Sequence, residues 1–426
     1  MMIRTMIIRP LVLIAAFALP FVCAAQSEAD YGTGQDVLGL FDSVMSDPSD
    51  YASDVDSEFE ADEVLAINIS SAALELANTL GFSLLDSTPL PGLGFKVTRL
   101  RLPDGFIDPV ALLRTLVRAD PLGLYGRNSV YRLADGGDVG VATNGACEGT
   151  RCYGQALVGW PAGGCTHAAR IGMLDSAVDV GHPALKKQKL VQQRIGRGKA
   201  RAAEQEHGTA VAALLIGSSS GGVTGLLPQA SLYAADVFEL DPDSRPYTDA
   251  YKLIQGLDWL ARQKLDALNI SIAGPASPIL HKAVQVLDTQ GVAIAAAAGN
   301  LGPKAPPQYP AAYPEVLAVA AIDRQMKPYA KGNQGKYVGI AAPGIAIWTA
   351  TAKGGARFLD GSSYAAPYAA ASLALLRRDP TERGNVKAAI QQLRSAARDL
   401  GAKGVDPVFG AGLLQLPAGA CAGSLR

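Results

Sequence analysis

The run Gly361-Ser362-Ser363-Tyr364-Ala365-Ala366-Pro367 opens directly onto the apolar stretch Tyr368 to Leu376. A turn of small residues leading into a buried-helix pattern places two hydroxyls where the unpaired N–H groups of a helix start would point. Pro367 suits a first helical turn, where its missing donor costs little. Such a place can present a hydroxyl to a substrate and stabilise a nearby anion. Taken alone, the run is more simply a serine cap on a buried helix. The chemical reading needs a base, an orienting carboxylate and a second oxyanion donor from elsewhere in the chain.

Upstream of this run, from Ala169 onward, apolar strands and helices alternate. Strands are expected at Arg170–Leu174 (ending at Asp175), Ser231–Val237, Ala267–Ile272, Val292–Ala298, Val316–Ala321, Val338–Ala342 and Ala346–Ala350. Helices are expected at His207–Ile216, Thr248–Gln263 and Pro278–Gln290. This order implies an α/β fold with a mostly parallel, doubly wound sheet flanked by helices. Ligand sites in such sheets lie at strand C-terminal ends. Asp175, Ser271 and Asn300 all fall at or just past the ends of apolar strand runs.

Of the four histidines, His207 has a distinctive setting, His-Gly-Thr-Ala-Val-Ala-Ala at the start of a small-residue helix. A neutral imidazole there can take a proton from Ser363, and a carboxylate on its other nitrogen would fix the tautomer. Asp175 is the natural orienter. Each has a plain alternative, Asp175 as a turn residue and His207 as a cap. His182, in Gly181-His182-Pro183, reads as a loop residue, and His167 and His281 lack a supporting context.

Leu174-Asp175-Ser176, His207-Gly208-Thr209, Ala298-Gly299-Asn300 and Gly361-Ser362-Ser363-Tyr364-Ala365-Ala366-Pro367 resemble, in order, the four signature blocks of the subtilisin-like serine proteases (subtilases, peptidase S8). Weaker matches are Asn269-Ile270-Ser271-Ile272-Ala273-Gly274, Tyr313-Pro314-Glu315-Val316, Ala342-Pro343-Gly344 and Phe409-Gly410-Ala411-Gly412. Together they cover Tyr153 to about Leu416. The resemblance implies Ser363 as nucleophile, His207 as general base and then acid, and Asp175 as its orienter. Asn300 would donate to the oxyanion beside the Ser363 backbone N–H. It also implies that Ser271, Ile272, Ala273 and Gly274 form an edge pairing with substrate backbone, with Ser220 to Gly222 as the facing edge.

Some positions depart from the family pattern. Ser362 stands where Thr is usual, Tyr364 where Met is usual, and Tyr368 where a His commonly follows the Pro. Gln308 falls where a Gly often floors the pocket for the residue before the cut bond, and is expected to narrow or polarise it. Calcium sites are common in the family, so the resemblance leaves a structural calcium open, but no set of oxygen ligands for it stands out in the sequence and no other cofactor is implied.

The rest of the 426-residue chain divides by composition. Residues 1–25 read as a secretory signal: Arg4 and Arg9, the apolar stretch Leu11 to Val22, and a small-residue exit at Cys23-Ala24-Ala25. That apolar stretch is short of the ~20 residues of a spanning helix, so release rather than anchoring is expected. Residues 26–60 form an acidic leader expected to be disordered. Between Gln26 and Phe95 there are fourteen acidic residues and no Lys or Arg, whereas the balance from Cys147 onward is basic. The acidic part would then be an intramolecular partner of the basic remainder.

Residues 61–134 read as an α+β module. Its strands are expected at Glu63–Ile69, Phe82–Leu85, Phe95–Leu102 and Asn128–Leu133. Its helices are expected at Ser71–Leu80 and Asp108–Arg118, with Asp108 as cap, and a turn at Pro89-Leu90-Pro91-Gly92. The module resembles, by topology, the inhibitory propeptide that precedes subtilisin-like domains. Residues 135–152 read as an exposed linker holding a processing site, and residues 153–420 as the peptidase-like domain. After Cys23, the cysteines Cys147, Cys152, Cys165 and Cys421 form an even set open to three pairings, suited to structural disulfides in an oxidising compartment.

These observations point to a secreted serine endopeptidase, extracellular or periplasmic, made as a zymogen. Polypeptide substrates and its own pro-region are the expected partners. No nucleic acid is expected, no membrane after signal removal, and the chain is expected to be monomeric. A non-catalytic protein-binding member retaining the fold is the alternative; loss of a triad residue would favour it, and none is lost. A lipase-like site requires Gly-x-Ser-x-Gly, and Ala365 replaces its second Gly.

Overall fold

A computed structural model describes residues 59–103, 109–134, 138–143, 147, 152–196, 201–377 and 385–421. The signal-like segment 1–25, the acidic leader up to residue 58, and the expected cap Asp108 lie outside the described residues.

The N-terminal module runs β1 (Phe59–Ile67), α1 (Ser71–Thr79), β2 (Ser83–Leu90), β3 (Phe95–Arg101), α2 (Pro109–Ala119) and β4 (Leu124–Leu133). Its strands pair antiparallel in the order β2-β3-β1-β4. β2 extends through Pro89 and Leu90, which were expected in the turn. It is an edge strand, where proline's missing N–H is tolerated.

Alternation along β1 sends Val64 and Ala66 into a small core with Leu113 and Leu116 of α2 and with Leu100. Leu65 and Ile67 face the opposite way, into the larger body. One sheet face therefore covers the module's own helices and the other seals it to its neighbour.

The chain continues through β5 (Asp138–Thr143), α3 (Tyr153–Leu157), β6 (Arg170–Asp175), β7 (Lys189–Arg194), α4 (Glu206–Ile216), β8 (Ser231–Asp236), β9 (Glu239–Leu240) and β10 (Pro246–Asp249). Then come α5 (Ala250–Ala261), β11 (Ala267–Ile270), β12 (Ile272–Ala273), α6 (Pro278–Thr289), β13 (Ala293–Ala297) and β14 (Val316–Ile322). Last are β15 (Val338–Pro343), β16 (Ile347–Ala350), β17 (Ala356–Leu359), α7 (Ser362–Leu376) and α8 (Val386–Ala396).

Seven strands form an all-parallel sheet in the order β15-β14-β13-β11-β6-β8-β7. The residue-by-residue alternation of β13 shows how it is covered. Ala293, Ala295 and Ala297 pack in the core that holds α4 and α7, while Ile294 and Ala296 pack in the core that holds α5 and α6. The sheet is thus doubly wound, with a continuous apolar run where both faces are covered.

Three expectations shift at element ends. Thr248–Gln263 divides into β10 and α5, because the Asp249 side chain accepts from Lys252 N and caps the helix there. Ala267–Ile272 breaks at Ser271, after which β12 leaves the parallel sheet for a different partner. Within the stretch expected as linker, β5 pairs with β17 in a three-stranded sheet. The cysteines are joined as Cys147–Cys152 and Cys165–Cys421, with Cα separations of 5.7 and 5.2 Å. The second bridge holds the C-terminal tail to the segment ahead of β6.

The module and the body share a sheet. β4 lies between β10 and β12, pairing antiparallel with both, and Leu65, Leu90, Phe95 and Tyr131 join the core of α5 and α6. Asp258 of α5 accepts from the Gly92 and Leu93 backbone at 2.7 and 3.2 Å. Gln290 donates to Gly92 O at 2.7 Å. The Tyr251 hydroxyl donates to Asp86 at 2.6 Å, and Arg132 meets Asp241 at 3.3 Å. The expected acid-on-base complementarity is not what these contacts show: apolar packing and hydrogen bonds donated in both directions carry them.

Candidate active site

Asp175 ends β6 and is fully buried. Its Oδ1 accepts from the next backbone N–H, Ser176, at 2.7 Å, and lies 2.7 Å from His207 Nδ1. An ionised carboxylate accepts only, so Nδ1 carries the proton and Nε2 is left basic. His207 stands in the first turn of α4, which crosses close behind the loop after β6. A Cβ on Gly208 would run into Ser176 O and lie 2.6 Å from Ala177 O, so only glycine permits this approach. Gly208 N donates to Ser176 Oγ at 3.0 Å and Thr209 Oγ1 accepts from Asp179 N at 2.8 Å, pinning helix to loop.

Ser363 is the second residue of α7, where helix N–H groups are unpaired and the helix dipole is positive. The helix starts at Ser362, so Pro367 lies in its second turn, inside the helix rather than in the first turn as expected. A proline there deprives the carbonyl four residues earlier, that of Ser363, of its helical partner. The Ser271 hydroxyl takes that place, donating to Ser363 O at 3.1 Å, and is itself fixed by Asn269 Nδ2 at 3.0 Å.

Asn300 follows Gly299, whose φ of +111° suits glycine. Ser362 N and Ser362 Oγ both donate to Asn300 Oδ1, at 3.1 and 3.0 Å, while Gly299 N donates to Ser362 Oγ at 3.1 Å. With its carbonyl oxygen occupied, the amide must point its N–H₂ outward. Nδ2 donates to the backbone carbonyl of Ala134 at 2.5 Å. The Ser363 hydroxyl donates to that same oxygen. Ala134, the last residue before the linker, thus has its carbonyl held between two of the nominated side chains.

Two strand edges flank this segment. Ala134 N donates to Ser271 O at 3.2 Å, and Ile272 and Ala273 pair with Leu133 and Arg132. Gly274 bridges to Tyr309. The facing edge is β10, with Thr248 opposite Tyr131 and Asp249 opposite Val130. This corrects the expectation for Ser220 to Gly222. Residues Ser219–Gly221 form a 3-10 turn, and a Cβ on Gly221 would meet the Ala184 backbone, so this segment is committed to the loop after β6. Gln308 is buried, donates from Nε2 to Pro306 O at 3.0 Å, and lies so near Gly299 that a Cβ there would sit 2.8 Å from its Cγ.

The tyrosines each have a specific neighbour. The Tyr364 ring faces that of His207 at 5.7 Å. Tyr368 is buried against Gly154 of α3, whose missing Cβ leaves room for the phenol, and burial raises its hydroxyl pKa.

Three features were not legible in advance: Ser362 as the anchor of Asn300, Ala134 as the residue in the cleft, and Asp236 beside Asp175. Asp236 is in register with Asp175 across β6 and β8 and bonds Arg194 Nη1 at 2.9 Å. Burial pushes its carboxyl up to about 6, Arg194 opposing and Asp175 adding to the shift. Among the described residues no group of three or more His, Cys, Asp or Glu could hold a metal ion.

Residues 166–412, more than half of the 426, match the family model described as the subtilase family. The chain belongs to the subtilases. Among curated relatives, the minor extracellular protease Epr of Bacillus subtilis (strain 168) is 37% identical over 215 residues, covering 50% of this subtilase and 32% of Epr. Subtilisin E of the same strain is 31% identical over 218 residues, covering 50% and 56%. This chain thus spans less than two thirds of either relative. Among solved structures, fervidolysin from Fervidobacterium pennivorans, a keratinolytic enzyme related to subtilisin, superposes with a TM-score of 0.70 at 21% identity, over 87% of this chain and 62% of its own. That coverage reaches beyond the family match into the N-terminal module, and shows the subtilisin-like fold.

Proposed function

We propose that this subtilase is a secreted serine endopeptidase, made as a zymogen whose module of residues 61–134 blocks the cleft until it is cut from the body. Ser363 attacks the scissile carbonyl, His207 takes its proton and delivers it to the leaving amine, water activated by the same imidazole then releases the acyl group from Ser363, and Asp175 holds the imidazole and stabilises its cation. Asn300 Nδ2 and the Ser363 backbone N–H receive the oxyanion. Ser271, Ile272, Ala273 and Gly274 align the substrate as an added strand.

The observation that carries the reading is the Ala134 carbonyl, bonded by both Ser363 Oγ and Asn300 Nδ2. The carbonyl thus lies against both groups that acyl transfer needs, nucleophile and oxyanion donor, and attack requires the Ser363 hydroxyl to turn its proton from that oxygen to His207. The processing bond is therefore Ala134–Asp135. Gln308 beside Gly299 restricts the pocket for the residue before the cut (P1), in keeping with an alanine there. A peptide-library profile dominated by large aromatic P1 residues would contradict this.

The signal-like N-terminus and the extracellular curated relative support export; among the described residues no helix is long and apolar enough to cross a membrane. The endopeptidase reading is tested by labelling with a fluorophosphonate. Wild type should label and Ser363→Ala should not; labelling that survives the substitution would overturn it.

A further inference from the structure

The four residues ahead of the proposed cut lie in the cleft in extended register, and each meets different chemistry. Ala134 (P1) meets the catalytic groups, and Leu133 (P2) pairs with Ile272. Tyr131 (P4) is fully buried, its hydroxyl donating to Pro275 O at 3.0 Å. A Cβ on Gly274 would sit 2.9 Å from Tyr131 Cε1, so that pocket depends on glycine.

Arg132 (P3) is the distinctive one. Its Nη1 lies 3.3 Å from Asp241 Oδ2 and 3.0 Å from Pro246 O, two acceptors on the hairpin between β9 and β10. Asp241 is also held from within its own hairpin. Its Oδ1 accepts from Arg245 N at 2.8 Å and its Oδ2 from Arg245 Nε at 3.0 Å. Arg245 in turn reaches Asp243 at 3.1 Å, and Arg201 donates to Ser244 at 2.9 Å, so the tip carries cations as well as carboxylates. What selects at P3 is the local pair of acceptors. A guanidinium or ammonium satisfies both, whereas a carboxylate there would face a carboxylate and a carbonyl.

We infer that Asp241 is a specificity-determining residue selecting a basic side chain at P3, so that this protease favours polypeptides reading aromatic, basic, apolar, small up to the cut. The inference rests on the endopeptidase reading and on Ala134–Asp135 as the processed bond.

It is tested with the full-length chain allowed to process, assayed on peptides containing Tyr-Arg-Leu-Ala, Tyr-Gln-Leu-Ala and Tyr-Glu-Leu-Ala ahead of the cut. The kcat/KM ratio of Arg over Gln should be about two- to fivefold, the range of a half-exposed ion pair, with Glu poorest. It should shrink in 1 M salt. Asp241→Asn should bring the ratio near one and Asp241→Lys should invert the order of Arg and Glu. Wild-type hydrolysis of all three peptides at equal rates would overturn the P3 assignment while leaving the protease reading intact. Hydrolysis of none would overturn both. If the Asp241 variants fail to process, the wild-type ratios and their salt dependence still decide.

Discussion

Ser362 Oγ donates to Asn300 Oδ1 at 3.0 Å, and the Ser362 backbone N–H donates to the same oxygen at 3.1 Å. The residue beside the proposed nucleophile therefore sets the direction of the proposed oxyanion donor. Ser362→Ala removes one of these two bonds and frees the amide to rotate; kcat should fall about tenfold with KM little changed. Ser362→Thr, keeping the hydroxyl, should retain most activity. Asn300→Leu removes the donor outright and should cost about 100- to 1000-fold in kcat, a figure obtained on a subtilisin. Steady-state kinetics on a peptide substrate checks the order of the three.

Gly154 and Tyr368 form a second coupled pair. A Cβ at 154 would collide with the Tyr368 hydroxyl and lie 3.2 Å from its Cζ. Gly154→Ala should destabilise the protein by about 1–3 kcal/mol through overpacking, despite alanine's better helix propensity. Tyr368→Phe removes the colliding atom, so the double variant should recover most of the loss. Urea unfolding in a Ser363→Ala background measures this cycle.

Asp236 predicts a pH dependence. Its carboxyl lies near 6 in the folded chain against an ordinary value near 4, because burial disfavours the charged form. The folded state thus binds more protons between those values, and stability from this group is complete below about pH 4 and lost as pH rises through 6. Asp236→Asn should therefore gain on wild type between pH 4 and pH 7.5, by at most ~3 kcal/mol for a shift of about two units. A pH-independent difference in unfolding free energy would contradict the assignment.

Much of this was legible in the sequence because chemistry and backbone geometry constrain the same positions. Gly208 and Gly299 sit in recognisable blocks since glycine alone allows the close approach that sets His207 beside Asp175 and the positive φ that leads into Asn300. The parallel strands were readable from their continuous apolar runs. What escaped notice was set by tertiary partners. β7, with its polar alternation, is an edge strand whose partner in the sheet is β8. β10 continued smoothly into the pattern of α5, and its pairing with β4 and β9 marks it as strand. Tyr368 raised a question of bulk that Gly154, more than two hundred residues earlier, answers.

The docking of the module should weaken in acid. The Tyr251 hydroxyl bond holds Asp86 below the usual carboxylate range, with burial opposing. Such a group stabilises the docked state above its ordinary pKa, and that contribution is lost as pH falls through the lowered value. Tyr251→Phe should loosen the processed module a few-fold at neutral pH and flatten this acid dependence. Asp258→Ala, which strands the Gly92 and Leu93 amides, should loosen it by about tenfold. Co-purification of module and body across pH reads both effects.

Self-cleavage by Ser363 after Ala134 is the step on which the proposed function turns. The most direct measurement is the N-terminal sequence of the body from purified full-length chain incubated without other protease, for wild type and Ser363→Ala. Wild type should give an N-terminus at Asp135, and Ser363→Ala should remain an uncut chain. A different first residue, or the same cut in Ser363→Ala, would contradict it.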